Sequence, residues 1–192
     1  QEVKHIRQLR QVCVDMFPDK QRIGKQVTAM ICGIPNVGKS TVINILAGRK
    51  VAKVGNEPAV TKAQQRIRLD NGVLLLDTPG VLWPKVDNPN SGYRLAIIGS
   101  IKDTAMEYED VSYFAARHLL DHYPDRLQQR YQLDPLPTEP LAILDGIGQR
   151  RGCLNKRGVV DYDRVGRILL TEIRSGKLGR MTLETPEMME SE

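Results

Sequence analysis

The stretch Gly33-Ile34-Pro35-Asn36-Val37-Gly38-Lys39-Ser40, followed by Thr41, constrains this chain more than any other. Glycines at both ends and a Lys-Ser pair at the close are the pattern of a phosphate-binding loop: backbone N–H groups face the anion, Lys39 reaches the β- and γ-phosphates, and Ser40 offers a hydroxyl to Mg²⁺. The motif has meaning only between a strand and a helix. Val27-Thr28-Ala29-Met30-Ile31-Cys32 reads as a buried strand, and Ser40-Thr41-Val42-Ile43-Asn44-Ile45-Leu46-Ala47 as the following helix. The fold class is therefore α/β, with a helix N-terminus turned toward bound phosphate.

Downstream, Gln65-Arg66-Ile67-Arg68-Leu69 alternates, Asp70-Asn71-Gly72 is a tight-turn signal, and Val73-Leu74-Leu75-Leu76 reads as a buried strand, so an antiparallel hairpin is expected. That strand delivers Asp77-Thr78-Pro79-Gly80. A carboxylate at a strand end is placed to hold Mg²⁺ through water, and the Gly80 N–H to meet a γ-phosphate. Thr61 stands in the polar segment between, where a threonine can close on the metal when the γ-phosphate is present. Upstream, Val3, Ile6, Leu9, Cys13 and Met16 recur at helical spacing, so residues 2 to 16 are expected to form an amphipathic helix packed on the sheet.

Trp83 to Gly92 is rich in Pro, Asn and Asp and marks a boundary between residues 1–92 and a helical domain over 93–182, with an acidic tail at 183–192. In the second domain the apolar spacing is helical throughout, from Leu95, Ile98 and Ile101 to Val165, Ile168, Leu169 and Ile173. His118 and His122 sit one turn apart, but without a glutamate beside His118 or a third ligand they read as helix residues and not as a zinc site. Asp145 and Glu139 read as helix-surface charges.

Charge is unevenly spread. Residues 1 to 90 hold 14 Lys/Arg against 7 Asp/Glu, while residues 149 to 180 hold nine against three. Arg150, Arg151, Lys156, Arg157, Arg164, Arg167 and Arg174 are the candidates for contact with RNA phosphates, the alternative being a solvated surface. Cys13, Cys32 and Cys153 show no paired spacing, which suits a reducing cytoplasm. No window reads as a membrane span or a secretion signal.

Taken together, the loop, Thr61, Asp77-Thr78-Pro79-Gly80, Val81-Leu82-Trp83-Pro84-Lys85, Leu95 to Asp103, His122 to Leu127 and Arg151-Gly152-Cys153-Leu154 resemble the circularly permuted GTPases of the YlqF/YawG type, the family of the bacterial ribosome biogenesis GTPases. The resemblance implies a partial, circularly permuted P-loop G domain followed by an all-helical domain that contacts RNA. It implies hydrolysis of GTP to GDP in late assembly of the large (50S) ribosomal subunit, a cytoplasmic protein that is monomeric off the ribosome, and a partner that is the subunit precursor and not DNA. Carried over by position, Lys39 and Ser40 serve phosphates and Mg²⁺, Asn36 is a candidate K⁺ ligand, Thr61 is the first-switch threonine, and Asp77 and Gly80 form the second switch.

Two departures matter. The guanine-reading Asn-Lys-x-Asp and the Ser-Ala motif, which precede the phosphate loop in this family, do not occur. Asn155-Lys156-Arg157-Gly158 lacks the aspartate. The chain is accordingly expected to be the C-terminal part of a longer protein. Val81 also stands where many GTPases carry a water-positioning glutamine. An RNA- or ribosome-binding module without turnover of its own, and an ATPase, are the alternatives; an upstream Asn-Lys-x-Asp would discriminate against both.

Overall fold

The computed structural model describes residues 2–52, 63–70, 72–83 and 85–190. Two compact units result, Gln1–Pro84 and Lys85–Glu192. Their boundary falls inside the Trp83–Gly92 stretch.

The first unit runs α1 (Glu2–Asp15), α2 (Pro18–Arg22), β1 (Val27–Ile31), α3 (Lys39–Ala47), β2 (Gln65–Arg68) and β3 (Val73–Asp77). Gly72, at φ 80°, supplies the left-handed residue of the turn, and Leu69 N–H donates to Val73 O at 2.9 Å to close the hairpin. The sheet order is β1-β3-β2, with β3 antiparallel to β2 and parallel to β1. Strand alternation puts Val73, Leu75 and Asp77 on one buried face of β3. Val73 and Leu75 pack with Val14, Val27, Ile43, Leu46, Ile67 and Leu69 to form this unit's core. The same alternation carries the Asp77 carboxylate inward at the strand's end.

Helix α1 departs from the expected face. Val14 is buried and Ile6 and Cys13 half-buried, but Val3, Leu9 and Met16 are exposed. Each step of three residues falls about 60° short of a full 3.6-residue turn. Repeated steps therefore walk Leu9 off the packed side. Cys32, expected at the end of a buried strand, lies beyond β1 and is exposed.

The second unit comprises α4 (Pro89–Ile97), a 3₁₀ turn (Asp103–Ala105), α5 (Tyr108–His122), α6 (Pro124–Tyr131), α7 (Pro140–Arg151), α8 (Tyr162–Arg174) and α9 (Pro186–Glu190). Proline opens α4, α6 and α7, where its missing N–H costs nothing. Asn88 caps α4 by accepting from Asn90 N–H at 2.8 Å, and Asp161 caps α8 by accepting from Arg164 N–H at 3.1 Å. The core is Ile97, Ala116, Leu119, Leu127, Ile143, Ile147, Val165, Leu169 and Leu170. An isolated bridge, Leu154 with Val160, interrupts the helices between α7 and α8.

The segment after α8 is tied back onto α4, α5 and α6. Arg126 donates to Leu178 O at 3.3 Å, His118 Nε2 lies 2.9 Å from Thr182 O, and Arg94 Nε donates to Leu183 O at 3.0 Å. Leu183, placed at the start of an acidic tail by its sequence, packs against this unit's core, and residues 186–190 form α9. No helix of the described residues is long and apolar enough to cross a membrane.

Candidate functional site

The parallel pairing of β1 with β3 sets Ile31 opposite Asp77. It therefore brings two sequence-distant loops, residues 32–38 and 78–81, to the same carboxyl end of the sheet, where open α/β sheets bind ligands. Thr78 Oγ1 donates to Ile31 O at 2.7 Å, and Val81 N–H donates to Gly33 O at 3.3 Å. These two bonds lash the loops together. Neither is visible in a motif scan, because both join positions some 47 residues apart or are made by backbone.

Gly80 shows how close the approach is. A Cβ there would lie 2.6 Å from Pro35 Cα, 2.7 Å from Pro35 N and 3.1 Å from Lys39 Nζ. Only glycine fits between the two loops without moving backbone.

Helix α3 begins at the loop's end with Gly38 as N-cap, at φ 92° and with no side-chain cap. The N–H groups of its first turn have no intrahelical acceptor, so they form an anion-facing end. Asn36 adopts φ 59°, a left-handed conformation that asparagine tolerates better than most residues. Lys39 Nζ donates to Gly33 O at 3.0 Å and Ile34 O at 2.7 Å. Those bonds arch its side chain over the loop and use two of the ammonium's three donors.

Asp77 is the unusual group. It is 1% exposed, and neither carboxylate oxygen has a hydrogen-bond partner among the described residues. Burial pushes its pKa above the usual value of 3.8, and the charge of Lys39 opposes that shift. A buried carboxylate without donors is costly to keep. An oxygen-seeking cation or its water shell would satisfy it, and here it stands beside a lysine and a helix N-terminus that favour phosphate.

Thr61 lies outside the described residues. The seven basic candidates of the second unit are not gathered into one site by their contacts. Arg150 donates to Gln132 O, Arg151 lies 3.4 Å from Glu172, Arg167 pairs with Asp163 at 2.7 Å, and Arg174 donates to Ala96 O at 2.8 Å and Ile97 O at 2.9 Å. Lys156, Arg157 and Arg164 are exposed. His118 and His122 have ring centroids 4.7 Å apart, and His118 turns its Nε2 to Thr182 O. Burial lowers the His118 pKa from 6.5. Asp145 accepts from Tyr162 Oη at 2.7 Å, and Glu139 is the exposed N-cap residue of α7.

The model of the 50S ribosome-binding GTPase family matches residues 28–133, which includes every described residue of the site from Gly33 to Val81. The ribosome biogenesis GTPase A of Priestia megaterium is 50% identical over 166 residues, covering 86% of this chain and 58% of that protein. Its counterpart in Bacillus cereus is 49% identical over 163 residues, covering 85% and 55%. The chain thus spans less than two thirds of the length of these relatives. Among solved structures, GNP-bound YlqF from T. maritima superposes with a TM-score of 0.57 at 26% identity, covering 88% of this chain and 64% of the other. A GDP-bound structure of TM YlqF gives a TM-score of 0.59 at 27% identity, covering 88% and 65%. On the family match over more than half its length, the chain belongs to the 50S ribosome-binding GTPases, with the ribosome biogenesis GTPases A of the YlqF type as relatives.

Proposed function

We propose that this protein binds GTP, hydrolyses it to GDP and phosphate, and uses that cycle as a switch in late assembly of the large ribosomal subunit in the cytoplasm, as a monomer off the particle. The single observation that carries the reading is Asp77, a buried carboxylate neither of whose oxygens has a hydrogen-bond partner among the described residues, held beside a phosphate loop.

Its own residues divide the work as follows. The loop from Gly33 to Thr41 wraps the phosphates with backbone N–H groups, and Lys39 offers its remaining donor to the β- and γ-oxygens. Ser40 and Asp77 would hold Mg²⁺, with Thr61 the further candidate ligand. Magnesium, when bound, neutralises charge that develops between the β- and γ-phosphates. Gly80, seated on Pro35, presents its N–H where a γ-phosphate ends. Loss of that phosphate removes the acceptor and leaves the 78–81 segment with its bonds to Ile31 and Gly33. Asn36 is the candidate ligand of K⁺.

Val81 follows Gly80 and is exposed. It has no polar atom with which to orient a water, so turnover is slow until the particle or a cation supplies that positioning. The phosphate ligands of this chain do not choose a base, and the guanine preference rests on the family. In the second unit, Arg150, Arg151, Lys156, Arg157, Arg164, Arg167 and Arg174, all of them exposed, are proposed contacts to ribosomal RNA.

The test is GTP hydrolysis by the full-length protein, guanine-reading segment included, with and without large-subunit precursor particles, GTP against ATP. The reading expects GTP-selective turnover that the particles raise by at least about tenfold. Equal use of ATP, or no response to the particles, would overturn it.

A further inference from the structure

A cleft of about 390 Å³ lies between α1 and α3, lined by Arg7, Thr41, Asn44, Ile45, Gly48 and Arg49. It belongs to the first unit, but the nucleotide reading uses only Thr41 of its lining. Lys4, Arg7 and Arg10 recur every three residues and so fan over about 120° of the α1 surface, with Arg7 at the middle. Arg10 Nη2 lies 3.6 Å from where a Cβ on Gly48 would sit, so that basic side faces the end of α3. Arg49 and Lys50 follow at once and are exposed.

Of the cleft's two neutral polar side chains, Thr41 and Asn44, the amide of Asn44 is already committed. Asn44 Oδ1 accepts from Val51 and Ala52 N–H and its amide donates to Ala52 O, all at 2.9 Å. Arg7 and Arg49 are left as its charged donors, and neither forms an ion pair with another described residue. That contrasts with Arg151 and Arg167, whose guanidinium groups are held by Glu172 and Asp163. Two exposed guanidinium forks at one concave surface, backed by further cations, match phosphodiester oxygens in charge and in paired-donor geometry.

We infer that the α1–α3 cleft docks an RNA backbone, with Arg7 and Arg49 contacting phosphates and Lys4, Arg10 and Lys50 supplying the field that draws the polyanion in. This rests on the reading of the partner as an RNA-containing particle. Because the cleft opens on α3, RNA would seat against the outer side of the helix that carries the phosphate loop.

The experiment titrates a labelled RNA duplex with the protein over about 50 to 200 mM salt. Arg7→Gln with Arg49→Gln is expected to weaken binding by about tenfold and to lower the log–log salt slope by about two, one unit per lost phosphate contact. Each single variant loses about one unit, which keeps the result readable if the double variant folds poorly. Lys25→Gln with Arg68→Gln removes the same charge elsewhere in the unit and is expected to leave affinity within about twofold. Unlabelled polyglutamate is expected to compete poorly. Parental affinity and slope in the Arg7 and Arg49 variants, an equal loss in the Lys25 and Arg68 pair, or displacement by polyglutamate as efficient as by RNA would each overturn the inference, the last in favour of an acidic protein partner. GTP affinity, measured in the same samples, should be unchanged. Failure of the parent to bind GTP would instead sink the proposed function while leaving the RNA readout intact.

Discussion

The two units treat buried charge in opposite ways. In the helical unit Glu172, 5% exposed, is met by Arg130 through two hydrogen bonds, the longer at 3.0 Å, by Arg151 at 3.4 Å and by Lys177 at 3.8 Å. Buried Arg94 is likewise spent on Leu183 O. In the first unit Asp77 is as deeply buried and has no hydrogen-bond donor among the described residues. A paired buried charge holds helices together. An unpaired one is a cost that makes sense where a ligand completes it.

The largest expected effect breaks the nucleotide side of this contrast. Lys39→Ala removes the side-chain cation that arches over the loop, and triphosphate affinity and turnover should fall by about 10²-fold or more, with little change in fold. Retention of both within twofold, by fluorescent-nucleotide titration, would contradict the assignment. Gly80→Ala forces a methyl group onto the Pro35 backbone. The protein should lose about tenfold of its preference for GTP over GDP, because the N–H that meets the γ-phosphate is displaced. An unchanged preference would show that Gly80 is spaced for packing alone.

On the helical side, Glu172→Ala strands three cations around an empty position and should destabilise α8 by about 2 kcal/mol. Hydrogen exchange at the Leu169 and Leu170 amides reads this directly. Nucleotide affinity should not move.

Acid titration sharpens the comparison, because the two carboxylates have opposite signs. Hydrogen bonding from Arg130 chiefly holds the Glu172 pKa below 4.5. Its contribution is full above 4.5 and is lost as pH falls from there through the folded-state value. Burial raises the Asp77 pKa above 3.8. Its penalty is full above that raised value and is relieved as pH falls through it toward 3.8. Amides of β3 should therefore gain protection on mild acidification before those of α8 lose it, and parallel loss in both would refute the contrast. The smallest effect concerns Asn36→Gly, which keeps the left-handed backbone and deletes the side chain. The excess of turnover in potassium over sodium should shrink by about twofold or more, and persistence of the full excess would remove Asn36 from a cation site.

The legible part of this molecule was the part built from short-range pattern. The phosphate loop, the hairpin with its Gly72 turn and the delivery of Asp77 at a strand end are each encoded within a few neighbouring residues. The proline-led starts of α4, α6 and α7 are equally local. What could not be read was set by long-range contact. Glu172 meets an arginine 42 positions away, and Arg174 spends its guanidinium on carbonyls 77 and 78 positions away, so a cluster that looks like free positive charge is partly structural cement. The exposed Leu9 shows the same limit in α1, where a spacing of three suggests one face but the helix turn moves it off.

Thermal unfolding of the parent and Asp77→Asn, each with and without Mg²⁺ and GTP, tests the central claim most directly. The account predicts that the ligand-free variant is the more stable, by about 1 kcal/mol, because it no longer buries an unsatisfied charge. It also predicts that Mg²⁺ with GTP raises the Tm of the parent well above that of the variant, reversing the order. An Asp77→Asn protein no more stable than the parent without ligand, and stabilised just as much by Mg²⁺ and GTP, would contradict it.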